Sequence, residues 1–246
     1  MGRIFRFTGI AEEVEWKPTD VGDSKIWLRS DFAYQDAEKI IPCVNNSLIW
    51  TGEDKSTLGH DVIQATETKR PVYLTNQINS IYPCWRCDGI DDYLKALAFT
   101  LNQPCEVYMV IRIIAYGAGS RLFDGDAGNS MGLLQNSATQ LVQYIGGYGA
   151  YLDFGAGPWG LIQSRYVNVS GDCYLRLNGG SPSAGAYAGA GSPGGFTLAA
   201  YGGLAAYGNI DVAEVVIYEP PLGDTDRQRL ELYFNTEAQG NGYAIY

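Results

Sequence analysis

Histidine is almost missing from this chain: His60 is the single one. That removes a Ser-His-Asp arrangement unless His60 serves it alone. It also leaves the Cys84-x-x-Cys87 pair without the partners a zinc site needs. Basic residues are few, 17 Lys and Arg against 27 Asp and Glu, for a net charge of −10. Phosphate backbones demand a basic patch, so nucleic acid is not an expected partner. No apolar run reaches the ~18 residues of a membrane-spanning helix. The first residues hold no apolar signal core, because Arg3, Arg6, Glu12 and Glu13 interrupt them. The expectation is therefore a chain made and folded in the cytoplasm, away from membranes. No glycine-rich phosphate loop precedes a helical pattern, which argues against nucleotide binding. Cysteine is sparse and odd in number: Cys43, Cys84, Cys87, Cys105 and Cys173. In a chain of 246 residues these read as buried, reduced thiols, with a redox or intersubunit role as the lesser alternative.

What is abundant is tyrosine (18) and glycine (31), with 13% aromatic residues. This suits strands joined by turns. The stretch Arg70 to Leu94 reads as strand, turn, strand, tight acidic turn, strand, with Asp88-Gly89 as the turn signal. Glu106–Ile113 is rich in β-branched and aromatic residues, the pattern of a buried strand. Leu161–Arg165 and Ile210–Tyr218 are further strands, and Asn178-Gly179-Gly180 marks a β-turn. Near the end, Thr225 with Gln228 offers a capping box. Leu230, Tyr233 and Phe234 then share one helical stripe.

Several of these segments carry a resemblance. Arg70-Pro71-x-Tyr73, followed by Pro83-x-x-Arg86-x-Asp88-Gly89-x-Asp91-Asp92-Tyr93-Leu94, resembles laminin-G-like, concanavalin A-like domains that recur in bacteriophage virion proteins. Trp16-x-Pro18 with Ile26-Trp27-Leu28-Arg29-Ser30-Asp31 is similar to the first strand of that family, and Gly59–Ala65 to a later segment. The resemblance implies an all-β fold: a two-sheet antiparallel jelly-roll sandwich with one short C-terminal helix. Residues 1–15 then form an N-terminal arm and 16–246 a single domain. It further implies a non-enzymatic virion structural protein, a capsid decoration or head/tail accessory, assembled in the host cytoplasm. Its partners would be other virion proteins and copies of itself, a trimer by family analogy, with the arm and the tail at 240–246 making contacts. The alternative is a glycan-binding, receptor-recognition module of the tail-fibre or surface-lectin kind.

Candidate sites follow from side-chain chemistry. Glycoside hydrolysis needs two carboxylates, ~5–5.5 Å apart in retaining enzymes. On a strand these would fall at i and i+2 or i+4. No Glu-x-Asp-x-x-Glu pattern exists, so no enzyme is expected. Asp211 and Glu214 fall on opposite faces by strand parity, with Glu214 beside Ile210, Val212 and Val216 as a buried structural group. Asp88, Asp91 and Asp92 could hold calcium. Turn duty, with bonds to Arg70 or Arg86, is the competing reading. No other cofactor is implied. A glycan site would need exposed aromatics, and Trp159, Tyr144, Tyr148 and Tyr151 are the candidates; burial in the sandwich is the alternative for each.

Overall fold

The computed structural model describes residues 16–22, 24–126, 131–167, 173–185, 189, 193–202, 205–235 and 243–245. The expected arm 1–15, Tyr187 and most of the C-terminal tail lie outside the described residues. In chain order the strands begin with β1 (Ser24–Tyr34), β2 (Thr51–Asp54), β3 (Val62–Ile63), β4 (Val72–Ile78), β5 (Tyr82–Asp88) and β6 (Leu94–Ala96). The middle of the chain supplies β7 (Cys105–Ala115), β8 (Arg121–Asp124), β9 (Gly132–Ser137), β10 (Gln140–Tyr144) and β11 (Tyr148–Asp153). The last group is β12 (Trp159–Tyr166), β13 (Cys173–Leu177), β14 (Ser183–Gly185), β15 (Thr197–Leu198) and β16 (Asn209–Tyr218), followed by helix α1 (Asp224–Asn235).

The fold is all-β and antiparallel with one short helix. Strand neighbours run β11-β10-β9-β8-β15-β6-β3-β2-β1-β16-β7-β12-β13-β14. Off this path, β5 joins β4 to the first half of β16, while β1 pairs with its second half. The path folds over, so that Ile26, Val62, Leu94, Met109, Phe123, Leu133, Ile162 and Val215 share one core. Its two ends approach without pairing where β11 meets β14. A Cβ on Gly185 would collide with the backbone of Ala150 there, so only glycine allows the approach.

β7 and β16 sit at the centre of the first half and are buried almost throughout. Their inner side chains enter the shared core. Tyr108, Val110, Val216 and Tyr218 point outward and meet Leu230, Tyr233 and Phe234 of α1. A strand covered on both faces has no polar alternation, hence the unbroken apolar runs. Helix α1 thus seals the outer face of this half. Tyr243 adds to the seal, its hydroxyl donating to Glu214 at 2.7 Å.

The parity expectation for β16 needs correction. The β16–β7 register slips between Val212 and Glu214. One extra residue reverses alternation beyond it. Ile210 and Val212 therefore point into the core, while Glu214 and Val216 point outward beneath α1. Asp211 faces outward as well, gripped by Arg86 (2.7 Å) and by Arg112.

Candidate functional site

The outer face of the second half, from β3 to β11, carries no helix among the described residues. Its β10–β11 hairpin pairs Val142 with Tyr151 and Tyr144 with Tyr148, with a register slip between them. Cross-strand partners share a face. The slip lets Tyr148 and Tyr151, three residues apart, point the same way. The inward side is identified by Leu141, in the core, and by Gln143, which donates to Ser164 Oγ across it (2.9 Å). Tyr144, Tyr148 and Tyr151 therefore stand together outside. Tyr148 is 58% and Tyr151 40% exposed. Tyr144 meets Tyr148 edge-on, ring centroids 5.9 Å apart. The guanidinium of Arg121 lies 5.3 Å from the Tyr144 ring and 5.2 Å from that of Tyr201, and is ion-paired to Asp124 at 3.3 Å. The result is an aromatic surface stiffened by a buried cation.

Trp159, the fourth aromatic candidate, is elsewhere. It lies on the outer face of β12, half-buried against the residues under α1. Arg112 covers its ring at 5.0 Å, and the same guanidinium is held by Asp211 and by Gln77 (3.2 Å).

The carboxylates of Asp88, Asp91 and Asp92 do converge, with one oxygen of each within 4.8 Å of the others. Their bonds are those of a turn: Asp88 accepts from Ile90 N–H (2.7 Å) and Asp91 N–H (3.3 Å), and Asp92 accepts from Asp88 N–H (3.1 Å). Burial, reinforced by Asp88, pushes Asp92 up to about 7. The arginines expected beside this turn go elsewhere. Arg70 donates to the carbonyls of Gln64 (2.9 Å) and Ala65 (2.7 Å), and Arg86 binds Asp211.

Those Arg70 bonds shape a cleft of about 480 Å³ that sequence reasoning missed. β3 pairs with β6 through Val62–Ala96 and Ile63–Lys95. Gln64–Thr66 continue β3 at one end of this short ladder and Leu97–Ala98 continue β6 at the other, and both stretches line the cleft together with Tyr93, Lys95 and Asp126. Arg70, stacked on Trp50 at 4.1 Å, pins the first of these stretches. Lys95 Nζ contacts Asp126 Oδ1 at 2.7 Å. No residue type announces this cleft, because its lining is drawn from segments distant in sequence.

Two more carboxylates are fully buried on the α1 side. Glu106 accepts from Tyr108 (2.7 Å), Gln163 (2.7 Å) and Tyr174 (2.9 Å). Glu214 accepts from Trp27 Nε1 (2.6 Å), Tyr233 (3.0 Å) and Tyr243 (2.7 Å). The five cysteines are free thiols, four of them buried. Burial raises Cys43 to about 12 and pushes Cys84, Cys87 and Cys105 upward as well. His60 stacks on Phe99 at 4.0 Å.

No family model matches the sequence, and no curated protein matches it. Solved structures match its fold. A sialidase of Trypanosoma rangeli in complex with sialic acid is 12% identical, with a TM-score of 0.53 over 85% of this chain and 33% of that one. A botulinum neurotoxin serotype D binding domain is 10% identical, TM-score 0.56, covering 85% and 51%. A GH54 α-L-arabinofuranosidase soaked with a cyclic sulfate inhibitor is 14% identical, TM-score 0.56, covering 75% and 50%. The chain spans a third to a half of these proteins, and at such identities the likeness shows the fold alone. It does overturn the expectation that the chain is not an enzyme, since two of these structures are glycosidases. That expectation tested carboxylates along a single strand, whereas a sheet brings together side chains from several.

Proposed function

We propose that the protein is a glycan-binding module built on a concanavalin A-like jelly roll, of the receptor-recognition kind found in tail fibres and surface lectins. The observation that carries this reading is the outward cluster of Tyr144, Tyr148 and Tyr151. Two of the three are exposed on a face that no described helix covers. Tyrosine presents a rigid apolar ring with a hydrogen-bonding tip, so it contacts a sugar at little entropic cost. The fold likeness to proteins that include a sialidase in complex with sialic acid supports the reading without identifying a ligand. The resemblance of Arg70–Leu94 to bacteriophage virion domains supports carriage on a virion, which co-purification with intact particles checks.

A glycan array probed with the full chain should give a restricted set of hits. Tyr148→Ala and Tyr151→Ala should each weaken the best hit about tenfold, which corresponds to ~1.4 kcal/mol. Both side chains are exposed, so folding should be unaffected. An array without hits, or hits indifferent to both substitutions, defeats the proposal.

A further inference from the structure

The tyrosine face does not end at its rings. Leu141 of β10 and Leu152 of β11 turn inward against the core. By alternation, Gln140 and Val142 on β10 point outward, as do Tyr151 and Asp153 on β11. Gln140 lies directly opposite Asp153, so the two side chains meet on that face. Gln140 Nε2 donates to Asp153 Oδ1 at 3.4 Å. Asn136 Nδ2 donates to Gln140 Oε1 at 2.9 Å, which holds Asn136 on the same face, although a slip between β9 and β10 leaves it outside the ladder. All three reach solvent: Asn136 and Asp153 are exposed and Gln140 is half-buried. Each has bonding capacity to spare. Asn136 Oδ1 and Asp153 Oδ2 accept no hydrogen bond from a described residue, and both amides keep a second N–H to give.

Charge along this strip is of one sign. No lysine or arginine occurs between Arg121 and Arg165. Arg121 itself is 6% exposed, lies between Tyr144 and Tyr201, and is paired with Asp124. An anionic group laid on the strip would meet the Asp153 carboxylate and no cation from β9, β10 or β11. From Tyr148 to Asp153, β11 spans six residues, about 17 Å of strand, which is more than one sugar ring covers.

We infer that Asn136, Gln140 and Asp153 are specificity-determining residues of the tyrosine site, and that the site takes an uncharged, extended oligosaccharide laid along the hairpin. This rests on the glycan-binding reading above. The rings receive the apolar C–H faces of the sugars at one end. At the other, the amides donate and Asp153 accepts, matching the two-way bonding of hydroxyls. Rings stack on most sugars, whereas a few fixed polar groups respond to where the hydroxyls stand. General affinity therefore belongs to the tyrosines, and the choice among sugars to these three.

The test uses the full chain on an array of neutral, sialylated and sulfated oligosaccharides, then calorimetric titration of the strongest hit and of its component monosaccharides. The strongest hit should be uncharged, and each monosaccharide should bind far more weakly. Asp153→Ala and Gln140→Ala should each weaken the hit about fivefold, the worth of one hydrogen bond. Neither side chain packs in the core, so thermal melts should be unchanged. Asp153→Lys supplies the missing counter-ion and should move the preference toward an acidic form of the same glycan, a change that a merely structural role for Asp153 would not produce. Hits that weaken in Tyr148→Ala yet ignore both Asp153→Ala and Gln140→Ala overturn this inference and leave the glycan reading standing. A strongest hit that carries sialic acid or sulfate overturns it as well, as does a monosaccharide that binds as tightly as the oligosaccharide. An array without hits removes the glycan reading and this inference with it.

Discussion

Glu214 illustrates how one residue can tie pH to stability. Burial raises its carboxyl from 4.5 to about 7, against the opposing pull of Arg29 and of the donors Tyr243, Trp27 and Tyr233. Between those two values the folded protein holds a proton that the unfolded chain has released. Stability is therefore fullest below pH ~4.5 on this account, and is lost as pH rises toward 7. At ~1.4 kcal/mol per unit the effect is on the order of 3 kcal/mol. Asp92, also raised to about 7, acts in the same direction. The informative quantity is thus the difference between wild type and Glu214→Gln in denaturant melts from pH 4.5 to 7.5. The variant should show a flatter profile by roughly that amount; identical slopes would mean that Glu214 stays ionised beneath α1. That Glu214 would be buried and hydrogen-bonded was legible from the apolar residues around it. Its direction was not, because a bulge depends on the partner strand and leaves no local mark.

At the scale of elements, the legible parts are those whose signal is local. The β-branched runs of β7 and β16 and the Leu230, Tyr233 and Phe234 stripe of α1 are continuous in sequence, and each forms the expected element. The Asp88-Gly89 turn was equally plain. Gathering Tyr144, Tyr148 and Tyr151 needed a register slip between β10 and β11, and the cleft beside Lys95 needed β3 and β6 to pair across the chain. Neither is written in any one segment. The same holds for the closure at Gly185, an ordinary glycine by sequence. Gly185→Ala should force β14 away from Ala150 and cost ~1–3 kcal/mol, the usual penalty of overpacking. Thermal melts would show it, and an unchanged midpoint would mean that β14 is not anchored against β11.

For the whole molecule, the decisive asymmetry is that α1 and Tyr243 close one outer face and leave the opposite one open. On that open face the tyrosines and the cleft are joined by a register chain. Lys95 lies opposite Thr197, Thr197 opposite Asp124, and Asp124 pairs with Arg121 beneath Tyr144. From β10 to β6 is four strand spacings, about 19 Å. A sheet is a rigid ruler, so this distance does not adapt to the ligand. The three tyrosines are likewise held at a fixed spacing by β10 and β11. On the function proposed above, a ligand that matches that spacing would cost the protein little rearrangement on docking, and one that does not would be refused rather than accommodated. Selectivity would then be written in the strand register itself, so that whatever loosens the register broadens what binds.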